Sequence, residues 1–205
     1  MSMNKTKFTI GIDEVGRGPL AGPVCVCACM IREQDKKKVA RKLAGIKDSR
    51  KLNPKTRAEF YAKIKELRNL GLLDFQFSYV GAKHIDERGI VPAIKLAMKR
   101  SLDRLCLTDF DKCRLLLDGG LYAPEKYLHQ KTIIKGDEKE WIISAASIIA
   151  KEERDAKMKR LAKKYPEYDF ARHKGYGTKV HRESLREHGL CREHRRSFCG
   201  NLILK

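Results

Sequence analysis

Acidic side chains at the ends of apolar runs are the first chemistry the sequence offers. Asp13-Glu14 follows Phe8–Ile12, Asp118 follows Arg114–Leu117, and Asp137 follows the shorter run Thr132–Ile134. In an α/β sheet, functional groups gather at strand ends, because a rigid scaffold presents the loops there. Bringing carboxylates together is unfavourable. Like charges ~4 Å apart repel by about 1–4 kcal/mol at the dielectrics of water or a protein surface. A divalent cation with oxygen ligands offsets that repulsion. Two such ions, about 3.5–4 Å apart, can activate a water and stabilise the leaving oxygen of a phosphodiester. Taken singly, each acid also reads as a cap or turn residue, since Asp137 precedes a helix and Asp118 precedes Gly119.

Two further groups of residues suit a nucleic-acid partner. Gly16-Arg17-Gly18 lets the backbone approach a ligand closely, with a guanidinium able to contact a phosphate or sugar. In His173-Lys174-Gly175-Tyr176-Gly177-Thr178, a tyrosine between glycines can stack on a sugar or base, or anchor its own loop. The chain carries 45 Lys/Arg against 26 Asp/Glu, a net charge of +19. Residues 32–51 hold nine basic and three acidic residues, and residues 151–205 hold sixteen and eight. Such a field favours polyanions. From the residues alone, two readings stay open: a metal-dependent nuclease and a metal-independent nucleic-acid-binding protein.

The elements that must position these groups alternate between strand and helix. Phe8–Ile12, Val24–Ile31, Phe75–Tyr79, Arg114–Leu117 and Thr132–Ile134 read as strands. Helices are expected over Gln34–Ala44, from an Asn53 cap and Pro54 to Asn69, over Val91–Leu105, over Trp141–Lys164, and from Thr178 to Gly189. Interleaving argues for α/β, and the short Gly/Pro loop after the first strand argues for a mixed sheet. We expect residues 1–164 to form the main domain, and residues 165–205 a helical C-terminal extension packed on it. The tail histidines read as solvated surface positions.

No apolar run approaches the roughly 18–20 residues that span a bilayer, and Met1–Lys7 is too polar for a secretory signal. Seven cysteines without a CxxC pair argue against zinc. Cys25, Cys27 and Cys29 alternate, as core thiols of a strand in a reducing cytoplasm would.

The run Gly11-Ile12-Asp13-Glu14-Val15-Gly16-Arg17-Gly18-Pro19-Leu20-Ala21-Gly22-Pro23-Val24 resembles the N-terminal motif of ribonuclease HII, the bacterial type 2 ribonuclease H. Further motifs resemble that family in the right order over nearly the whole chain. They are Asp48-Ser49-Arg50-Lys51-Leu52, Leu116-Leu117-Asp118-Gly119, Lys135-Gly136-Asp137, Ser144 to Lys151, Arg154-Asp155, His173 to Thr178, and His194-Arg195-Arg196-Ser197-Phe198. Arg17 argues against the relative ribonuclease HIII, which has Lys there. The resemblance implies a ribonuclease H-like α/β fold, a mixed five-stranded sheet flanked by helices with a helical C-terminal extension. It implies cleavage of RNA in RNA–DNA hybrids and incision 5′ of single ribonucleotides in duplex DNA, leaving a 3′-hydroxyl and a 5′-phosphate. It makes Asp13, Glu14, Asp118 and Asp137 the catalytic ligands of two Mg²⁺ or Mn²⁺ ions. Gly16, Arg17 and Gly18 match the loop that reads the 2′-hydroxyl, Tyr176 the aromatic at the following deoxyribose, and Ser49 and Lys51 a phosphate-backbone segment. A cytoplasmic monomer is expected. The pattern is broken at Arg50, where the family usually has Lys, and at Gly89 and Gly120, where Asn is common.

Overall fold

The computed structural model describes residues 6–120 and 122–203, with side chains to residue 200. In chain order the elements are β1 (Phe8–Val15), β2 (Val24–Arg32), α1 (Lys36–Lys42), α2 (Pro54–Asn69), β3 (Asp74–Val80), α3 (Ala82–Arg88), α4 (Ile90–Asp103), β4 (Cys113–Asp118), β5 (His129–Ile133), α5 (Gly136–Lys139), α6 (Trp141–Lys164), α7 (Phe170–His173), α8 (Lys179–His188) and α9 (Arg196–Ile203). The sheet runs β3-β2-β1-β4-β5. It is mixed as expected: β1 is antiparallel to β2, and β4 is parallel to both β1 and β5.

Side-chain alternation along the strands builds two cores. Ile10, Ile12, Val24, Val26 and Ala28 face α4 through Ile94, Ala97 and Met98. Cys25, Cys27 and Cys29 share the opposite face and pack with Phe60 and Ile64 of α2 and the first half of α6. All three are free thiols, as their spacing suggested. The first three turns of α6 are buried nearly all round because that helix lies directly on β1. Gly11 makes the approach possible, since a Cβ there would lie 2.5 Å from the Ile142 carbonyl group. A third cluster, containing Met158, Tyr168, Phe170 and Leu185, joins the C-terminal segment to the end of α6.

The local signals for α2 and α8 hold. Asn53 accepts from Thr56 N–H at 2.9 Å, and Thr178 Oγ1 accepts from His181 N–H at 3.3 Å. Gly71, just past α2, has φ +66°. The first helix is shorter than expected, at Lys36–Lys42. β5 begins earlier, at His129, and Ile134 falls outside it. Four short helices, α3, α5, α7 and α9, had no periodic signal. Their length, four to eight residues, is too short to show one.

The tail histidines require a correction. His173, His181 and His194 are buried, and only His188 is exposed. The His173 and His181 rings stack at 4.3 Å, and His181 Nε2 lies 3.0 Å from His194 Nε2. Cys191 N–H donates to His194 Nδ1, so His194 carries its proton on Nε2 and donates it to His181. His181 in turn donates from Nδ1 to the Tyr176 carbonyl at 2.9 Å. Every nitrogen is satisfied by neutral rings, which is why the polar sequence hid a buried cluster.

Candidate active site

Strand register brings the acids together. Ile12 of β1 pairs with Leu117 of β4, so the next residues, Asp13 within β1 and Asp118 at the end of β4, come side by side. Asp118 pairs in turn with Ile133 of β5, and the chain then turns sharply into α5, which carries Asp137. Lys135 makes that turn in the left-handed region at φ +54°, uncommon for a residue with a side chain. Gly136 N–H donates to Asp118 Oδ1 at 2.7 Å, and Glu14 N–H to Asp13 Oδ1 at 2.8 Å. Carboxylate oxygens of Asp13, Asp118 and Asp137 lie within 4.8 Å of one another.

Glu14, the fourth predicted acid, is not in that trio. It extends toward Arg17, whose guanidinium is 3.8 Å away. Burial and the Asp118 charge push its carboxyl up to about 7. Burial, then the Glu14 and Asp118 charges, hold Asp13 well above the ordinary carboxylate range. Burial, with Asp118 and Asp48, also raises Asp137, against the pull of Arg50. Asp137 Oδ1 is buried without a hydrogen-bond partner. The cluster is short of positive charge and has an unused oxygen, and its donors are all hard carboxylates. These residues fit a divalent cation such as Mg²⁺ or Mn²⁺.

Asp13, Glu14, Gly16, Arg17, Gly18, Ser49 and Tyr176 line one cleft of about 230 Å³. Lys51 stands apart from it and pairs with Glu138 at 2.9 Å. Ser49 is buried, with its hydroxyl 2.9 Å from Ser147 Oγ. Tyr176 is half-exposed at the rim. Gly16 has φ +92°, and a Cβ there would collide with the Arg154 side chain at 2.1 Å. A Cβ on Gly18 would meet nothing, so the turn is tight on its inner side and open on its outer side.

Three cations of the site had no predicted role. Arg50 donates from Nη2 to Asp137 Oδ2 at 2.8 Å and from Nε to Asp48 Oδ1 at 3.1 Å. Arg154 and Arg195 are fully buried behind the Gly16–Gly22 loop. A basic residue in a basic tail reads as solvated surface, so only its place in the motif from His194 to Phe198 set Arg195 apart.

A family profile described as ribonuclease HII matches residues 10–201. The chain belongs to the ribonuclease HII family. Among similar proteins, ribonuclease HII of Staphylococcus epidermidis is 40% identical over 198 residues, spanning 97% of this chain and 72% of that protein. Ribonuclease HII of Chlamydia caviae is 45% identical over 193 residues, spanning 92% and 82%. Among solved structures, the chain resembles one from the complex of PCNA and ribonuclease HII of Archaeoglobus fulgidus, with TM-score 0.72 and 27% identity over 92% of this chain and 93% of that one. The ribonuclease H2 of Pyrococcus horikoshii shares the fold, with TM-score 0.70 and 24% identity over 96% and 97%. As a member of the family, the protein is a type 2 ribonuclease H, a metal-dependent hydrolase that cleaves RNA in RNA–DNA hybrids. No helix among the described residues is long and apolar enough to cross a membrane.

Proposed function

We propose that this ribonuclease HII also incises duplex DNA 5′ of a single embedded ribonucleotide, leaving a 3′-hydroxyl and a 5′-phosphate. One observation carries the reading: the Asp13, Asp118 and Asp137 oxygens converge within 4.8 Å, next to the open face of a glycine turn. Asp13, Glu14, Asp118 and Asp137 would hold two Mg²⁺ or Mn²⁺ ions. Bound there, the ions supply an activated water and neutralise charge on the departing 3′-oxygen. The protein's own part is to gather and orient the carboxylates, whose ionisation the bound cations would favour. The Gly136 and Glu14 N–H groups fix Asp118 and Asp13, and Arg50 occupies Asp137 Oδ2 in place of a cation.

A lone ribonucleotide differs from its neighbours only by its 2′-hydroxyl. The turn at Gly16, Arg17 and Gly18 is our candidate reader, because backbone groups reach where side chains would obstruct. Tyr176, at the rim of the same cleft, would stack on the following deoxyribose. Lys51, more than half exposed, would meet the phosphate backbone, with Ser49 bracing that segment through Ser147. The basic surface binds duplex phosphates, so affinity should fall steeply with salt.

The test is a labelled duplex with one ribonucleotide, incubated with Mg²⁺ or with chelator. A single cut 5′ of the ribonucleotide, dependent on metal, is expected. An intact duplex under both conditions, with long hybrids still cut, would refute the incision reading.

A further inference from the structure

Two arginines lie entirely inside this protein, Arg154 on α6 and Arg195 just before α9. A buried charge ordinarily requires an opposite charge. Neither guanidinium forms an ion pair among the described residues, and the hydrogen bonds of both go to backbone carbonyls. Arg154 donates to Pro23, Ala21 and Lys174 at 2.9, 3.3 and 3.0 Å. Arg195 donates from Nη2 to the Gly16 carbonyl at 2.6 Å, from Nη1 to the Arg17 carbonyl at 2.9 Å, and from Nε to the Gly22 carbonyl at 3.0 Å.

The choice of carbonyls has a geometric consequence. In a trans peptide the C=O of one residue points opposite to the N–H of the next, and the described chain has no cis bonds. Drawing the Gly16 and Arg17 carbonyls inward therefore turns the N–H groups of Arg17 and Gly18 outward. Both residues line the cleft beside Asp13 and Glu14. Gly18 N–H has no acceptor among the described residues. Successive N–H groups on one side of a turn form a concavity for an oxygen ligand. A cation on the carbonyl side also polarises each peptide, strengthening its N–H as a donor.

We infer that Arg195 is the positioning residue of the 2′-hydroxyl reader: its planar fork orients the two peptide units whose N–H groups face the ribose. The inference rests on the turn being that reader. The position of Arg195 is itself built in. Its own N–H donates to the Leu20 carbonyl at 2.8 Å. The start of α9 is tied to Asp86 of α3, which accepts from the N–H groups of Arg196 and Ser197 at 2.9 and 3.0 Å. The C-terminal extension thus reaches the specificity loop from behind.

The test compares binding to an all-DNA duplex with binding to the same duplex carrying one ribonucleotide. It uses the Asp118→Asn background with Mg²⁺, so that neither is cut. Arg195→Lys keeps the charge but loses the fork. The affinity ratio between the two duplexes should fall roughly tenfold, as loss of one or two aligned hydrogen bonds implies. Binding to the all-DNA duplex should stay within about twofold, since Arg195 is wholly buried and reaches no phosphate itself. A folded Arg195→Lys protein with an unchanged ratio, or one that loses both affinities equally, overturns the inference. Should Arg195→Lys fail to fold, half-buried Asp86→Ala decides: a smaller fall in the ratio supports the inference and an unchanged ratio refutes it. If the Asp118→Asn protein without either change binds both duplexes equally, the reader assignment itself fails, which is a separate result.

Discussion

Removing Arg50 should make the protein less stable without metal and more responsive to metal. The guanidinium bridges Asp137 and Asp48, bonding at 2.8 and 3.1 Å. Asp137 is almost wholly buried, but the Arg50 side chain is 72% exposed. A hydrogen bond to a charged group contributes about 1.5–3 kcal/mol, and solvent around Arg50 screens this toward the lower end. Arg50→Ala should therefore cost about 1–2 kcal/mol in chelator, a fall in Tm of ~2–8 °C for a chain of this size. A cation bound at Asp137 competes with Arg50 for the same carboxylate. By reciprocity, the lost coupling reappears as tighter metal binding, by roughly 5–30-fold. Thermal unfolding in chelator and across a Mg²⁺ titration measures both quantities, with calorimetric titration as a check. Unchanged or weaker Mg²⁺ affinity in Arg50→Ala would show that Arg50 supports the metal-bound site rather than standing in for the cation.

Asp118→Asn should abolish cleavage while hybrid binding persists, because it removes an acid from a crowded cluster and leaves the basic surface intact; near wild-type turnover with Mg²⁺ would remove Asp118 from the catalytic set. Tyr176→Ala should blur the preference for the RNA-to-DNA junction, seen as cleavage spreading over neighbouring positions, and unchanged incision at a single ribonucleotide would make Tyr176 a loop anchor only. Gly11→Ala should destabilise the fold by about 1–3 kcal/mol, since the new Cβ would lie 2.5 Å from Ile142 backbone atoms; a wild-type Tm would mean that α6 can shift freely. Burial pulls His181 and His194 down from 6.5 to about 4. Between those values the unfolded chain takes up protons that the folded chain refuses, so stability falls as pH falls through that window, by at most about 1.4 kcal/mol per pH unit for each ring. The raised carboxyls of Asp13, Glu14 and Asp137 act in the opposite sense over the same range, so the check is the rings themselves: an NMR titration in which His181 and His194 of the folded protein protonate at about pH 6.5 would contradict this.

Much was legible where a residue's role depends on its neighbours in sequence. Alternation placed Cys25, Cys27 and Cys29 on one face, Asn53-Pro54 opened α2, and Asp118 marked the end of β4, whereas β1 runs on through Asp13 and Glu14 to Val15 because these residues still pair with β2. The short helices were illegible because a helix of four residues, such as α5, has no period to detect. The tail histidines were misplaced because burial depended on partners far along the chain. Each ring is neutral and satisfied by other rings or backbone atoms, an arrangement that no local polarity can reveal.

By itself the amino-acid order determined the two-sided strands, the acids that follow apolar runs, the glycine turn and the family motifs, since each follows from side-chain type and short-range spacing. Only the tertiary structure decided that Asp13, Asp118 and Asp137 converge while Glu14 turns toward Arg17, because parallel register and the turn at Lys135 set those distances. It also decided which cations are solvated and which are structural. Arg50, Arg154 and Arg195 look like any basic residue along the chain. Their partners, Asp137, Pro23 and Gly16, lie 87, 131 and 179 positions away. The free energy of a charge is set by what surrounds it in space.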